Sequence, residues 1–202
     1  MRFEKFKESL RDLQLFSKGW RGYIYRARWK DTDVAIKVAK DSEREYAIRK
    51  EGEILKLLKG HRGFPQLLEA GEDFLVYEFI HGVPIEKASL TKSQKIFVYL
   101  RVLELIELLD RLGINKEELH KLDKNTLIGK DLEVYLIDFE RGSMQAKKRH
   151  NLSQFLQLLA KEGFLPLQKA KELGIRYSKG EEYFYQAYEA LPCLYQVYPT
   201  AQ

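Results

Sequence analysis

Ser17-Lys18-Gly19-Trp20-Arg21-Gly22-Tyr23-Ile24-Tyr25-Arg26-Ala27-Arg28-Trp29-Lys30-Asp31-Thr32-Asp33-Val34-Ala35-Ile36-Lys37-Val38-Ala39-Lys40 is the stretch on which the fold turns. Tyr23 to Trp29 is rich in aromatic and β-branched residues, Lys30 to Asp33 is polar, and Val34 to Val38 is a second apolar run. The pattern predicts two strands joined by a turn. Gly19 and Gly22 stand just before the first strand, where the missing side chains let backbone N–H groups approach a ligand closely. Lys37 is the odd residue, because an unpaired buried ammonium is very costly and requires a partner. A plain hairpin with a lysine snorkelling to water accounts for the same residues, so the partner has to be sought elsewhere in the chain.

Downstream, Ser42-Glu43-Arg44-Glu45 reads as a capping box opening a helix whose apolar face is Tyr46, Ala47, Ile54, Leu55, Leu57 and Leu58, ending at Gly60. Gly52 in its middle should cost that helix about 1 kcal/mol against alanine. Glu51 is the preferred counterion for Lys37, with Glu45 and Glu53 as competitors. Phe64 to Gly82 predicts two further strands around a Gly71-Glu72-Asp73 turn. Upstream, Phe3, Phe6, Leu10 and Leu13 fall at helical spacing and predict an opening amphipathic helix.

Thr91-Lys92-Ser93-Gln94 is a second capping box. It starts the longest helix, about residues 92–112, with a broad apolar stripe and Gly113 as its stop. Leu127-Ile128, a turn at Gly129 to Asp131, and Val134 to Phe139 predict strand, turn and strand, with Asp138 at the end of the run as either a turn cap or a ligand. Asn151 should cap a helix carrying Leu152, Phe155, Leu156 and Leu159. Beyond Pro166 two more helices are expected, the second running through Tyr183, Phe184, Ala187, Tyr188 and Leu191. Lys147-Lys148-Arg149-His150 is either a solvated loop or a site for an anionic substrate.

The 202 residues fit one domain or two small lobes, and 45% apolar content supplies a substantial core. The net charge of +5 fits an anionic ligand without requiring nucleic acid. Cys193 is the only cysteine, which excludes a disulfide framework and a cysteine metal cluster. No run of about eighteen apolar residues exists to span a membrane, and the start lacks a signal-peptide core. A cytoplasmic protein is expected.

Gly19, Gly22 and Ile24, followed thirteen residues after Ile24 by the Lys37 of Val34-Ala35-Ile36-Lys37, resemble the Gly-rich loop and strand lysine of the protein-kinase superfamily. The nearest family is that of the small archaeal-type predicted serine/threonine protein kinases, with Asp138-Phe139-Glu140 where kinases carry Asp-Phe-Gly. The resemblance covers about residues 17–159. It implies a two-lobed α+β fold, with a small antiparallel sheet and C-helix in residues 1–80 and a reduced, mainly helical lobe in 81–202. It further implies ATP and Mg²⁺ as ligands. Gly19, Gly22 and Ala35 would lie on the nucleotide, Lys37 oriented by Glu51 would hold its phosphates, and Glu78 and Ile80 would offer hinge backbone groups below a Tyr77 gatekeeper. Asn125 and Asp138 would hold the metal.

The catalytic loop departs from the pattern. Five residues before Asn125 stands His120, where kinases carry an aspartate, and the nearby carboxylate is Asp123, only two residues from Asn125. Asp123 through a shortened loop, His120 as an imidazole base, or no base at all are the three outcomes, Asp123 ranking slightly first. The activation segment is nearly missing, and there is no Ala-Pro-Glu motif. The expectation is an ATP-dependent phosphotransferase, by family likeness a serine/threonine protein kinase, whose hydroxyl acceptor on a protein or small molecule is open. The alternatives are an ATP-binding pseudokinase scaffold, and a kinase acting on a small molecule or an RNA-associated partner. Nucleic acid itself is not an expected ligand.

Overall fold

A computed structural model describes residues 1–145, 148–179 and 188. It is a mixed α and β structure with antiparallel sheets and, among the described residues, five α-helices. The chain forms two compact units, Met1–His81 with Ile137–Gly142, and Gly82–Leu136 with Ser143–Gln202.

In the first unit, α1 (Phe3–Phe6) and a 3₁₀ turn (Lys7–Ser9) lead into β1 (Arg11–Lys18), β2 (Gly22–Trp29) and β3 (Thr32–Ala39). The opening helix is therefore much shorter than its apolar spacing predicts. Leu10 is extended, Asp12 takes a positive φ of 55°, and the segment carrying Leu13 pairs with β2. Pairing with a neighbouring strand outweighs the weak propensity of a short isolated helix. β2 and β3 are joined by two residues only. Lys30 and Asp31 have φ of 47° and 62°, the left-handed pair of a turn whose twist matches the flanking strands. Thr32 and Asp33, read as turn, belong to β3 and pair with Trp29 and Arg28.

α2 (Glu45–Leu57), β4 (Leu67–Ala70) and β5 (Phe74–Glu78) complete this unit, and the sheet order is β1-β2-β3-β5-β4. The expected Ser42 capping box does not form. Ser42–Arg44 is a 3₁₀ turn, α2 has no side-chain cap, and Glu45 instead accepts from Arg2 and Arg49. Its carboxylate has charged partners, which bind more strongly than a neutral backbone N–H. The helix stops at Leu57, ahead of Gly60.

Alternation along the strands gives the sheet two different faces. Val34, Ile36 and Val38 of β3, with Phe74 and Val76 of β5, pack with Phe3 and Phe6. Phe6 stacks on Phe74 and meets Trp29 edge-on. Ala35, Lys37 and Leu75 point to the opposite face, where α2 lies against the sheet. There a methyl group on Gly52 would sit 2.8 Å from Leu75 Cδ2. The glycine that weakens the helix lets it approach the sheet.

The second unit contains a small sheet of β6 (Gly82–Pro84), β7 (Thr126–Gly129) and β8 (Val134–Leu136), with α3 (Lys92–Arg111), α4 (Asn151–Lys161) and α5 (Leu167–Ser178). The Thr91–Gln94 capping box forms with both of its hydrogen bonds, and Gly113 follows the helix with φ of 69°. Val98, Val102, Leu103, Ile106 and Leu109 of α3 are fully buried, as are Leu152 and Phe155 of α4. Asn151 is not the cap of α4. It is completely buried, donating to Asp110 Oδ1 and to the Ile114 carbonyl and accepting from the Lys116 N–H. An amide with both donor and acceptor ends satisfies three groups there, which a solvent-facing cap would leave unpaired. Of the residues named for the last helix expected from sequence, all but Tyr188 lie outside the described residues, as does Lys147 of the basic cluster.

Candidate functional site

Lys37 opposes Ile24 on one side and Leu75 on the other, in the middle of β3. The alternation that buries Val34, Ile36 and Val38 on one face sends its ammonium to the other, beneath α2. Glu51, buried on the inner face of α2, accepts from Lys37 Nζ at 2.6 Å through Oε2. Its second oxygen, Oε1, accepts from the Phe139 N–H at 3.1 Å. One carboxylate thus ties the strand lysine to the segment Ile137–Gly142, which belongs to the same unit.

That segment brings two more carboxylates. Asp138 Oδ1 lies 3.1 Å and Glu140 Oε2 3.5 Å from Lys37 Nζ. Asp138 holds a positive φ of 64°, an uncommon conformation for a side chain other than glycine. Phe139 is fully buried and meets Phe64 edge-on at 5.9 Å, which anchors the segment between its two acids. Burial pushes the Lys37 ammonium down. Glu51 opposes this first, then Asp138 and Glu140, and the net shift is well above the ordinary lysine value. Lys37 is therefore a permanent cation.

Glu140 also accepts from Arg21 Nη1 at 2.6 Å. Arg21 belongs to the turn between β1 and β2, which is closed by the Gly19 N–H donating to the Gly22 carbonyl at 2.8 Å. Gly22 has a packing reason to be glycine, since a Cβ would stand 2.4 Å from the Val38 carbonyl oxygen. At Gly19 a Cβ would meet its nearest neighbour at an ordinary 3.4 Å. The two glycines, read together from sequence as room for a ligand, thus have different local reasons.

Ala35 opposes Tyr77 across β3 and β5, and Glu78 opposes Val34. Burial raises the Tyr77 phenol well above its usual value, keeping it neutral. The Glu78 N–H donates to the Gln66 carbonyl and the Phe79 N–H to the Asp33 carbonyl. The ring of Phe79 lies under the Arg26 guanidinium at 4.1 Å. Ile80 lies beyond the end of β5.

His120, Asp123 and Asn125 sit in the second unit, on the loop from Ile114 to the start of β7. Asp123 is exposed, while His120 and Asn125 are half-buried. The Asn125 N–H closes a turn on the Leu122 carbonyl at 2.9 Å. Upstream on this loop, Glu117 and Glu118 hold consecutive positive φ angles of 65° and 60°. Gln154 fixes the bend by donating to Glu117 and accepting from the Leu119 N–H. Nothing in the side-chain spacing announces this bend, because neither residue is a glycine or an asparagine.

Glu51, Asp138 and Glu140 each offer a carboxylate oxygen, and these atoms lie within 4.8 Å of one another. Carboxylate oxygens suit a hard cation such as Mg²⁺. All three carboxylates also face Lys37 Nζ, at 2.6, 3.1 and 3.5 Å. Arg21 and Glu140 were not singled out in the sequence as members of the site. The glutamate in the place of a glycine after Asp138-Phe139 was the available signal for one of them.

No protein-family model matches the chain. Over 81 residues it is 32% identical to a protein of Bacillus subtilis (strain 168) named "Putative serine/threonine-protein kinase YrzF", a match covering 40% of this chain and 37% of that relative. The chain therefore spans little more than a third of the relative's length. Among the described residues no helix is long and apolar enough to cross a membrane.

Proposed function

We propose that this chain is an ATP-dependent phosphotransferase of the protein-kinase superfamily, acting on a hydroxyl acceptor, by likeness an atypical serine/threonine protein kinase. The observation that carries the reading is Lys37: a buried strand lysine held by a helix glutamate at 2.6 Å, with Asp138 at 3.1 Å. A buried, permanently charged ammonium that keeps company with an Asp-Phe segment is what phosphate neutralisation calls for. The name of the partial Bacillus relative supports the same class.

In this reading Lys37 binds phosphate oxygens, Glu51 fixes its position, and the turn from Gly19 to Gly22 covers the phosphates. Ala35, Glu78 and Ile80 contribute to the nucleotide pocket. Asp138 and, by the resemblance, Asn125 would hold Mg²⁺, whose chemistry would be to neutralise charge on the phosphates. Asp123 or His120 takes the acceptor's proton. Because phosphoryl transfer rests mostly on positioning and electrostatics, an imperfect base slows the reaction without abolishing it.

Incubation with labelled ATP, with and without Mg²⁺, tests the proposal. Label should reach an acceptor or the chain itself, and Lys37→Ala and Asp138→Ala should each remove at least about 99% of it, consistent with loss of an electrostatic contribution of 10²-fold or more. Transfer that survives both substitutions unchanged rules out this site.

A second reading is a nucleotide-binding protein without turnover, favoured by the presence of His120 where an aspartate is expected. ATP would then raise the melting temperature, and no label would move. Turnover abolished by Asp138→Asn would exclude it.

A further inference from the structure

We infer that the Glu140 carboxylate is an internal stand-in for a phosphate group, bridging Arg21 and Lys37 and holding the Gly19–Gly22 turn until a polyphosphate displaces it. The inference rests on the phosphotransferase reading and adds to it a built-in competitor and a second phosphate-binding cation, Arg21.

Both oxygens of Glu140 face cations from different elements. Oε1 accepts from Arg21 Nη1 at 2.6 Å, and Oε2 lies 3.5 Å from Lys37 Nζ. The Glu140 side chain is 14% exposed and that of Arg21 29%, so the contact is sheltered but open on one side. A guanidinium fork serves a carboxylate or a phosphate equally well. The geometry that Glu140 satisfies is therefore the one a phosphate oxygen would satisfy.

The parts differ in their freedom to move. Lys37 is anchored by Glu51 and Asp138. The backbone of Arg21 is pinned by its carbonyl, which accepts from the Lys40 N–H at 3.0 Å, and by the packing of Gly22 on Val38. Glu140 lies outside any strand or helix, in a turn closed by the Gly142 N–H on the Phe139 carbonyl. Exchange of partners consequently falls to the side chains of Glu140 and Arg21. Charge drives the exchange: Glu51, Asp138 and Glu140 all face Lys37 Nζ, and Glu140 also pairs with Arg21. A polyphosphate arriving at Lys37 competes with the Glu140 carboxylate and is repelled by it until Glu140 withdraws.

Titration calorimetry on the full chain tests this with metal-free ADP, and with adenosine as the probe that lacks phosphates. Glu140→Gln should tighten metal-free ADP by about five- to a hundredfold, the span of a typical coupling between competing ligands, and leave adenosine unchanged. Arg21→Ala should weaken ADP more in the Glu140→Gln background than in the unaltered chain, where binding must first break the Arg21–Glu140 pair. If ADP binds the unaltered chain and a folded Glu140→Gln no more tightly, or if Arg21→Ala has the same effect in both backgrounds, the internal competitor is refuted while the phosphotransferase reading stands. If neither protein binds ADP, both fall. A measurement on the unaltered chain guards against a variant that does not fold. Saturating tripolyphosphate should change amide hydrogen exchange across Lys18 to Gly22 and adenosine should not; no change with tripolyphosphate overturns the inference.

Discussion

Lys37 and Glu51 form a buried ion pair across the face between β3 and α2, their side chains 11% and 3% exposed and 2.6 Å apart. Removing one member leaves the other charged and largely desolvated, at a typical cost of about 3–5 kcal/mol. Replacing both by apolar residues of similar size removes the penalty as well as the attraction. Lys37→Met and Glu51→Leu should therefore each destabilise strongly, and the double variant by less than their sum, read from urea midpoints. Additive effects would show that the two charges are not coupled. The lysine's folded pKa is raised. Its stabilising contribution is thus fully present below the ordinary lysine value and is lost only as pH rises through the higher folded one. Across the neutral range the lysine's contribution should be insensitive to pH.

Gly52 and Leu75 set the distance between α2 and the sheet. Alanine at position 52 would add helix propensity of up to about 1 kcal/mol, and this sequence-level gain argues for stabilisation. The new methyl would stand 2.8 Å from Leu75 Cδ2, and Leu75 is fully buried. Overpacking of this kind costs about 1–3 kcal/mol, so the packing term wins. Gly52→Ala should lower the melting temperature, and Gly52→Ala with Leu75→Val should recover part of the loss. A stabilised single variant would show that α2 can shift without penalty.

The two loop glycines separate in the same way. Gly22→Ala drives a Cβ to 2.4 Å from the Val38 carbonyl oxygen, a backbone atom that cannot step aside, whereas at Gly19 the nearest approach is 3.4 Å. Calorimetric melting should show Gly22→Ala destabilised by about 1–3 kcal/mol and Gly19→Ala nearly unchanged. Equal losses at both positions would mean that backbone conformation, rather than this contact, selects glycine.

What the chain reveals on inspection follows from how strongly each element is specified. β2, β3 and α3 carry periodic apolar patterns or a capping box, and they stand where those patterns put them. The pairing of Lys37 was legible for a different reason: a cation in an apolar strand creates a need, and few nearby acids can meet it. β1 was not legible. It is an edge strand with nearly every residue exposed, so burial imposes no alternation on it, and its early apolar residues fall by accident at helical spacing. Arg21–Glu140 and Asn151–Asp110 escaped because they join residues 119 and 41 positions apart, and no local pattern encodes such contacts.

The hub at Asp110 yields a pH prediction. Its Oδ1 accepts from Asn151 Nδ2 at 2.8 Å, and its Oδ2 accepts from the Tyr177 hydroxyl at 2.5 Å, linking α3, α4 and α5 at one point. Burial pushes the Asp110 carboxyl above its ordinary value. The hydrogen bonds from Tyr177 and Asn151 oppose that shift without cancelling it. For an acid whose folded pKa exceeds its unfolded one, the protonated form is favoured by folding. The contribution to stability is then largest below the ordinary carboxylate range and is lost as pH rises through the folded pKa. The stability difference between the unaltered chain and Asp110→Asn should accordingly be greater in acid than at neutral pH, because every other carboxyl titrates in both proteins and cancels. Urea midpoints of the two proteins at several pH values between acid and neutral check this. A difference that grows toward neutral pH would mean that the hydrogen bonds from Tyr177 and Asn151, rather than burial, govern the ionisation of Asp110.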